Sequence, residues 1–201
     1  MSSQADRVAV DVLLPTRAPA PWLAETLDGL NAQVGCSWRL IAVVHGDASG
    51  LAPLILAKVP DAVVVPMPPD ARLQDLLNAG LDACTATYVA RQDHDDIPEP
   101  TRLAAQRAFL DEHPAVLAVG SAATVIDERG GMVGVRRVPV GAQVLKRRRW
   151  KSALVHRSVR FRRASVGEAG GYDPRATHAE DYELWLRLAA LGNLDNLPEP
   201  L

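Results

Sequence analysis

The chain is predicted to be an α/β protein with a mostly parallel central sheet flanked by helices, and three observations predict it. Short β-branched and leucine-rich runs alternate with stretches of helical periodicity four times in the first 120 residues. The strand runs are apolar at consecutive rather than alternate positions, the pattern of strands buried on both faces. At 201 residues, 48% of them hydrophobic and 23% charged, the chain suits one globular unit over 1–201 and excludes disordered and collagenous classes.

Val8 to Leu14, with Asp11 as its one polar residue and Pro15 as its stop, reads as the first strand. Trp22 to Gln33 places Leu23, Leu27 and Leu30 at helical spacing. Leu40 to Val44 is a second buried strand, followed by the turn-rich His45–Gly50. Leu51 to Val59 reads as a short helix and Ala62 to Val65 as a third strand, ended by Pro66, Pro68 and Pro69. Leu73, Leu76, Leu77 and Leu81 form the next helical stripe, with Gly80 an unfavourable residue inside it. Thr87 to Ala90 is a fourth strand, Glu99 to Glu112 a helix ended by His113-Pro114, and Ala115 to Val119 a fifth strand. Ala123–Ile126 and Met132–Val138 flank Asp127-Glu128-Arg129-Gly130-Gly131, a hairpin signal. A helical patch (Ala142 to Trp150) and an extended piece (Ala153 to Phe161) follow. Gly167, Gly170 and Gly171 mark a flexible loop before a last helix from Ala179 to Leu191.

No apolar run approaches the ~18 residues of a membrane span, and the first residues lack the layout of a secretory signal. Cys36 and Cys84 form no disulfide framework. A soluble, cytoplasmic protein is the expectation. The net charge of −2 hides an asymmetry: eleven of the 22 Lys/Arg lie between Arg136 and Arg163, with no acid among them. Such a block suits phosphates, whether of a ligand, a membrane surface or nucleic acid, or forms a solvated loop.

Open parallel sheets bind ligands beyond the carboxyl ends of their strands, here the loops 15–20, 45–50, 66–72 and 92–98. Leu14-Pro15-Thr16-Arg17 has no glycine, which excludes a dinucleotide fingerprint and a P-loop. Asp93-His94-Asp95-Asp96 puts three carboxylates within four residues, and they stay ionised together only beside a cation or strong donors. Hard oxygen ligands suit Mg²⁺ or Mn²⁺, and Ca²⁺ as well. The offsets do not fit an EF-hand, and His94 has no spaced His or Cys partner for zinc. The plainer alternative is an acidic loop in which Asp96 or Glu99 caps the following helix. In the second acidic stretch, Thr177 and Glu180 fit a capping box and Glu183–Arg187 an i,i+4 pair. That leaves Asp181 without a structural duty, as a candidate general base.

Two longer runs carry a resemblance. Leu76-Leu77-Asn78-Ala79-Gly80-Leu81 leads to Tyr88-Val89-Ala90-Arg91-Gln92-Asp93-His94-Asp95-Asp96, and then to Pro100-Thr101-Arg102-Leu103 and His113-Pro114. Later come Gly170-Gly171-Tyr172-Asp173 and Glu180-Asp181-Tyr182-Glu183-Leu184-Trp185-Leu186-Arg187-Leu188. Together they resemble the family 2 glycosyltransferases of GT-A fold, over about residues 8 to 201. These are inverting enzymes that use nucleotide-diphospho-sugars.

The resemblance implies a nucleotide-binding half over 1–120 and an acceptor-side half over 121–201. It implies that Pro15 and Thr16 lie against the nucleotide base, that Arg72 contacts the nucleotide and that His156 stands near the diphosphate. Asp95 would be the principal ligand of a Mn²⁺ or Mg²⁺ ion, with Asp93 on its ribose or metal side, and Asp181 the base that deprotonates the acceptor hydroxyl. The implied donor is of UDP, GDP or dTDP type and the acceptor a glycan or lipid-linked hydroxyl. The implied setting is polysaccharide or cell-envelope glycan assembly at the cytosolic face, with peripheral contact to an anionic membrane and no nucleic acid. The chain departs from the family pattern after the second strand, where His45-Gly46-Asp47 stands in place of two acidic residues, so that the base contact is lost or moved to Asp47. It departs again at Arg17-Ala18, where relatives carry an aromatic and Asn. The alternative reading is a shortened relative that binds a nucleotide or a partner without turnover. A nucleotidyltransferase lacks support because Leu14–Ala20 has no glycine-rich loop, and a nucleic-acid binder rests on the basic block alone, with Trp150 and Phe161 for stacking.

Overall fold

A computed structural model of the chain describes residues 8–18, 20–47, 49–147 and 154–201. Four parallel strands come first: β1 (Val10–Arg17), β2 (Trp38–His45), β3 (Val63–Met67) and β4 (Tyr88–Arg91), in the spatial order β3-β2-β1-β4. Their crossovers are α1 (Leu23–Asn31), α2 (Leu51–Lys58) and α3 (Leu73–Ala83). β1 is buried from Val10 through Thr16, with its last residue Arg17 exposed, because both faces of the sheet are covered. Val12 and Leu14 pack among Leu23, Leu27 and Leu103 on one face, while Leu13 packs among Leu77, Phe161 and Trp185 on the other. The polar exception, Asp11, is fully buried. Its carboxylate accepts from Arg39 Nε at 2.9 Å and from the Thr85 and Ala86 amides at 2.6 and 2.8 Å, so the charge is paired rather than orphaned.

Gly80 lets α3 lie close to the sheet. A Cβ there would stand 2.1 Å from Leu13 Cδ1 and 2.8 Å from Val43 Cγ2. The residue that weakens the helical pattern is thus the one that admits the packing.

The second half completes the sheet in an order that local sequence does not display. The segment expected to be extended from 153 to 161 instead holds a 3₁₀ turn (His156–Ser158) and a short strand, β7 (Arg160–Arg162). β7 inserts antiparallel between β4 and β5 (Val116–Ile126). Because β7 is antiparallel to both, β5 runs in the direction of β1 and β4. The far end of β5 pairs with β6 (Met132–Arg136) in the expected hairpin, where the Asp127 carboxylate accepts from the Arg129 and Gly131 amides. A further strand, β8 (Asn193–Pro200), runs parallel to β5. The remaining helices are α4 (Arg102–Glu112), α5 (Ala142–Arg147), α6 (Arg163–Glu168) and α7 (Glu180–Leu191).

Three local expectations are corrected. α4 starts at Arg102 rather than Glu99, because Glu99 precedes Pro100 and such residues avoid helical backbone; neither Asp96 nor Glu99 caps it. The Thr177–Glu180 capping box does not form. His178 adopts a φ of 61°, turning the chain before Ala179 becomes the N-cap. The basic block is not uniformly outward. Arg160 is fully buried with Nη1 donating to Leu103 O at 2.5 Å, Arg162 Nη2 donates to Leu110 O, Arg163 Nε to Ala86 O, and Arg157 lies 3.4 Å from Asp96. Arg148, Arg149, Trp150, Lys151 and Ala153 lie outside the described residues. Among the described residues, no helix is long and apolar enough to cross a membrane.

Candidate active site

The carboxyl ends of β1, β2 and β4 open into a cleft of about 440 Å³. Its walls include Pro15, Thr16 and His45 from the strand ends, Arg72 from the start of α3, and Arg91 and Asp93 from the end of β4. Two wall atoms, Thr16 Oγ1 and His45 Nε2, are buried without a hydrogen-bond partner among the described residues. A buried polar atom with no partner costs free energy of order 1–3 kcal/mol unless a ligand or water satisfies it, so these two atoms ask for a polar occupant. Asp47 is not among the lining residues. Its carboxylate is spent on Ser49, accepting from the amide at 2.9 Å and the hydroxyl at 3.0 Å, bonds that hold it below the usual carboxylate range.

Beside the cleft, Asp93, Asp95 and Asp96 bring one carboxylate oxygen each to within 4.8 Å of one another. Sequence adjacency alone would not do this, and two residues read only as part of a motif are responsible. Arg102 is buried and donates to Gln92 Oε1 at 2.5 Å and to Arg91 O at 2.6 Å. Gln92, fixed by that bond, donates Nε2 to Asp93 O at 3.0 Å and to Asp96 O at 2.9 Å, folding the loop around its own amide. The sequence carried no signal for this, because neither polar residue stands in an apolar run and their burial is set by the fold.

The electrostatics separate the acids. Burial works against the charge of Asp93, but the guanidinium of Arg91, 2.5 Å away, overcomes it with help from Arg157 and holds the carboxyl below the usual range. Asp96 goes the other way. Burial, reinforced by the charges of Asp93 and Asp95, pushes its carboxyl up to about 6 against the pull of Arg157. Three oxygen donors converging where negative charge is already in excess form a set that fits a hard divalent cation.

On the far side, α3 presents a polar row to the loop that leads into α7. Arg72 Nη1 donates to Pro174 O, Gln74 Nε2 to Ala176 O and Asn78 Nδ2 to Tyr172 O, each at 2.8 Å. The Tyr172 amide returns a bond to Asn78 Oδ1 at 2.8 Å. Arg72 therefore belongs to the cleft wall and to this brace at once. His156 Nε2 lies 3.0 Å from the Tyr172 hydroxyl, with its ring edge-on to Trp185. Burial pushes His156 down to about 3 and pushes the Tyr172 phenol up. Asp181 occupies the first turn of α7, half-buried, and its charge reaches the Tyr172 hydroxyl together with those of Glu180 and Asp93. Asp181 is not in the wall of the 440 Å³ cleft. The Glu183–Arg187 pair forms as expected, and Arg187 Nη2 also donates to Gly171 O at 2.8 Å.

Residues 11–167 match the sequence pattern of "Glycosyl transferase family 2". The chain belongs to this family. It is 34% identical over 184 residues to the amylovoran biosynthesis glycosyltransferase AmsE of Erwinia amylovora, covering 89% of this chain and 68% of that protein. An uncharacterised glycosyltransferase of Haemophilus influenzae is 31% identical, with 90% and 68% covered. Among solved structures, the mannosyltransferase PcManGT of Pyrobaculum calidifontis, in complex with GDP-Man and Mn²⁺, superposes with a TM-score of 0.70 at 22% identity. S. aureus TarS 1-349 in complex with UDP-GlcNAc superposes at 0.72 and 15%. This chain spans 55% of the first structure and 56% of the second. The architecture is the GT-A fold, and the chain is a glycosyltransferase of family 2.

Proposed function

We propose that this family 2 glycosyltransferase moves a sugar from a nucleotide-diphospho-sugar to an acceptor hydroxyl with inversion at the anomeric carbon, in the assembly of a polysaccharide or cell-envelope glycan. The observation that carries the reading is the convergence of Asp93, Asp95 and Asp96 beside a cleft whose wall holds two unpartnered polar atoms. In this reading residues 1–120 hold the nucleotide and residues 121–201 face the acceptor. Pro15 and Thr16 form the floor under the base, and the base contact falls to His45 rather than Asp47. Arg72, whose guanidinium is held by the Asp75 carboxylate and Pro174 O, lines the cleft where this reading puts the nucleotide.

Asp95 and Asp93, with Asp96 added by the geometry, would hold Mn²⁺ or Mg²⁺. Such an ion, when bound, supplies Lewis-acid stabilisation of charge on a departing diphosphate. The residues of the chain do the rest. Arg91 fixes the Asp93 carboxylate, and neutral His156, bonded to the Tyr172 hydroxyl, ties the 3₁₀ turn to the loop that leads to Asp181. Asp181, at the N-terminal end of a helix, takes the acceptor proton as oxygen attacks the anomeric carbon. One displacement with one protein base inverts the centre, whereas two-step hydrolysis uses a second carboxylate as nucleophile.

AmsE belongs by name to amylovoran biosynthesis, and another relative, 32% identical over 127 residues, is an Escherichia coli galactosyltransferase whose named acceptor is α-D-GlcNAc-diphosphoundecaprenol. Those names support a glycan or lipid-linked acceptor, and the reaction is proposed to take place at the cytosolic face of a membrane. Release of UDP, GDP or dTDP from a panel of donors, with Mn²⁺ or Mg²⁺ and with EDTA, tests the reading. Metal-dependent release from one donor class is expected. Nucleotide-sugar binding without turnover under every acceptor condition would instead favour the non-catalytic relative.

A further inference from the structure

The β5–β6 hairpin is solvated on sides that a core strand would bury. Met132 is 72% exposed and Val133 64%, and Val125, Ile126 and Val135 are exposed beside them. β6 is the edge strand of the sheet order, so nothing in the described chain covers its outer side. At its base the apolar surface continues through exposed Val140 and Val144, the latter on α5. Interleaved with these side chains are exposed Arg136, Arg137, Lys146 and Arg147, and residues 132–147 contain no acid. Among the described residues none of these four cations has a hydrogen bond or ion pair. They are the described part of the basic block that the interior did not absorb.

Location gives the surface a use. β5 runs parallel to β1 and β4, so its hairpin projects from the sheet edge that carries the acidic loop. The two meet across a second cavity of about 280 Å³, walled by Asp95 and Asp96 on one side and by Ala123, Thr124 and Ile126 on the other.

We propose that the β5–β6 hairpin and α5 dock this protein on an anionic bilayer, with the apolar side chains entering the headgroup boundary and the four cations meeting lipid phosphates. The cations of residues 132–147 flank exposed apolar residues and complement an anionic, amphipathic surface, while the hairpin's acids, Asp127 and Glu128, are confined to its turn, where the Asp127 carboxylate accepts from the Arg129 and Gly131 amides. Docked so, the cavity between hairpin and acidic loop opens toward the lipid, and an acceptor anchored in the membrane reaches the acids without leaving it. That last step rests on the transferase reading; the docking does not.

Co-sedimentation with vesicles of phosphatidylcholine alone, or with added phosphatidylglycerol, tests it on the full chain. Binding is expected to the anionic vesicles and to weaken with salt. Removing two cations in R136Q/R137Q, which lie on the surface and leave the core untouched, should lower partitioning roughly twenty-five-fold, about fivefold per cation. M132D/V133D should lower it further at unchanged ionic strength. Indifference to phosphatidylglycerol, or unchanged binding by both variants, overturns the proposal. So does concentration-dependent self-association abolished by M132D/V133D with no vesicle binding, which would make the occupant a second copy of the chain. Nucleotide release measured without vesicles tests the catalytic reading separately, so either can fail alone.

Discussion

His156 Nε2 and the Tyr172 hydroxyl lie 3.0 Å apart, tying the 3₁₀ turn before β7 to the loop that leads into α7. The imidazole is buried and sits in the field of Arg91, so its protonated form is disfavoured and it titrates near 3 rather than 6.5. The sign of the resulting pH dependence follows. Below about 6.5 the unfolded chain binds a proton on this histidine that the folded chain refuses until about pH 3. The contribution is fully present above 6.5 and is lost as pH falls through that window, with a slope of at most ~1.4 kcal/mol per pH unit. Urea denaturation of the wild type and of His156→Gln between pH 4 and 8 checks this: the two stability curves should diverge at high pH and converge toward acid.

Asn78 braces the same loop with a donor and an acceptor, both at 2.8 Å to the Tyr172 backbone. Asn78→Ala removes two hydrogen bonds at part-buried positions, a loss of about 2 kcal/mol. Asn78→Asp keeps the acceptor, loses the donor and should fall between. Because the braced loop leads to Asp181, kcat should fall in Asn78→Ala while the midpoint of donor binding moves little. Equal losses in kcat and donor affinity would place the brace on the nucleotide side instead.

β1, β2 and β3 were legible because each holds a run of β-branched and other aliphatic residues, although β1 and β3 continue through Pro15 and Pro66, where the sequence reading ended them. β8 was not, since Asp195, Asn196, Pro198 and Pro200 interrupt the apolar run that marks the other strands. In the fold its polar side chains have duties: Asp195 accepts from the Gly141 amide at 2.6 Å and Asn196 donates to Pro139 O at 2.8 Å. Nor does a linear sequence announce that β7 slips between β4 and β5, because strand adjacency is set by long-range packing. The basic block misled for a related reason. A guanidinium held by interior oxygens, at every nitrogen as in Arg162 or through Nη1 alone as in buried Arg160, is indistinguishable in sequence from one that faces water. The acids of the site were legible as types, whereas their convergence depends on Gln92 and Arg102, whose role appears only once both are seen to be buried.

Gly80 sets the distance between α3 and the sheet. Alanine would gain up to ~1 kcal/mol in helix propensity, yet its Cβ would meet Leu13 Cδ1 at 2.1 Å. Overpacking of that kind costs ~1–3 kcal/mol or more, so the steric effect wins and Gly80→Ala should be destabilised. Leu13→Val removes the clashing methyl, and the double variant should recover part of the loss in a double-mutant cycle of chemical denaturation.

Asp95→Ala and Asp181→Asn separate the two halves of the proposed chemistry. Asp95 is the exposed member of the acid cluster and has no ion pair among the described residues, whereas Asp93 and Asp96 pair with Arg91 and Arg157. Its removal should abolish Mn²⁺-dependent enhancement of donor binding by calorimetry while leaving the melting temperature of the apoprotein within a few degrees. Asp181 touches no residue of the acid cluster, and its Oδ1 accepts from the Tyr182 amide at 2.7 Å. Asparagine keeps that acceptor and the shape of the side chain but cannot take a proton. Donor affinity should therefore persist while turnover falls ~10²–10⁴-fold, the scale of a lost general base. A variant that turns over at the wild-type rate would remove Asp181 from the reaction. One that loses donor binding as well would place it against the donor, and the base would then be sought in its neighbour Glu180, whose charge reaches the same Tyr172 hydroxyl.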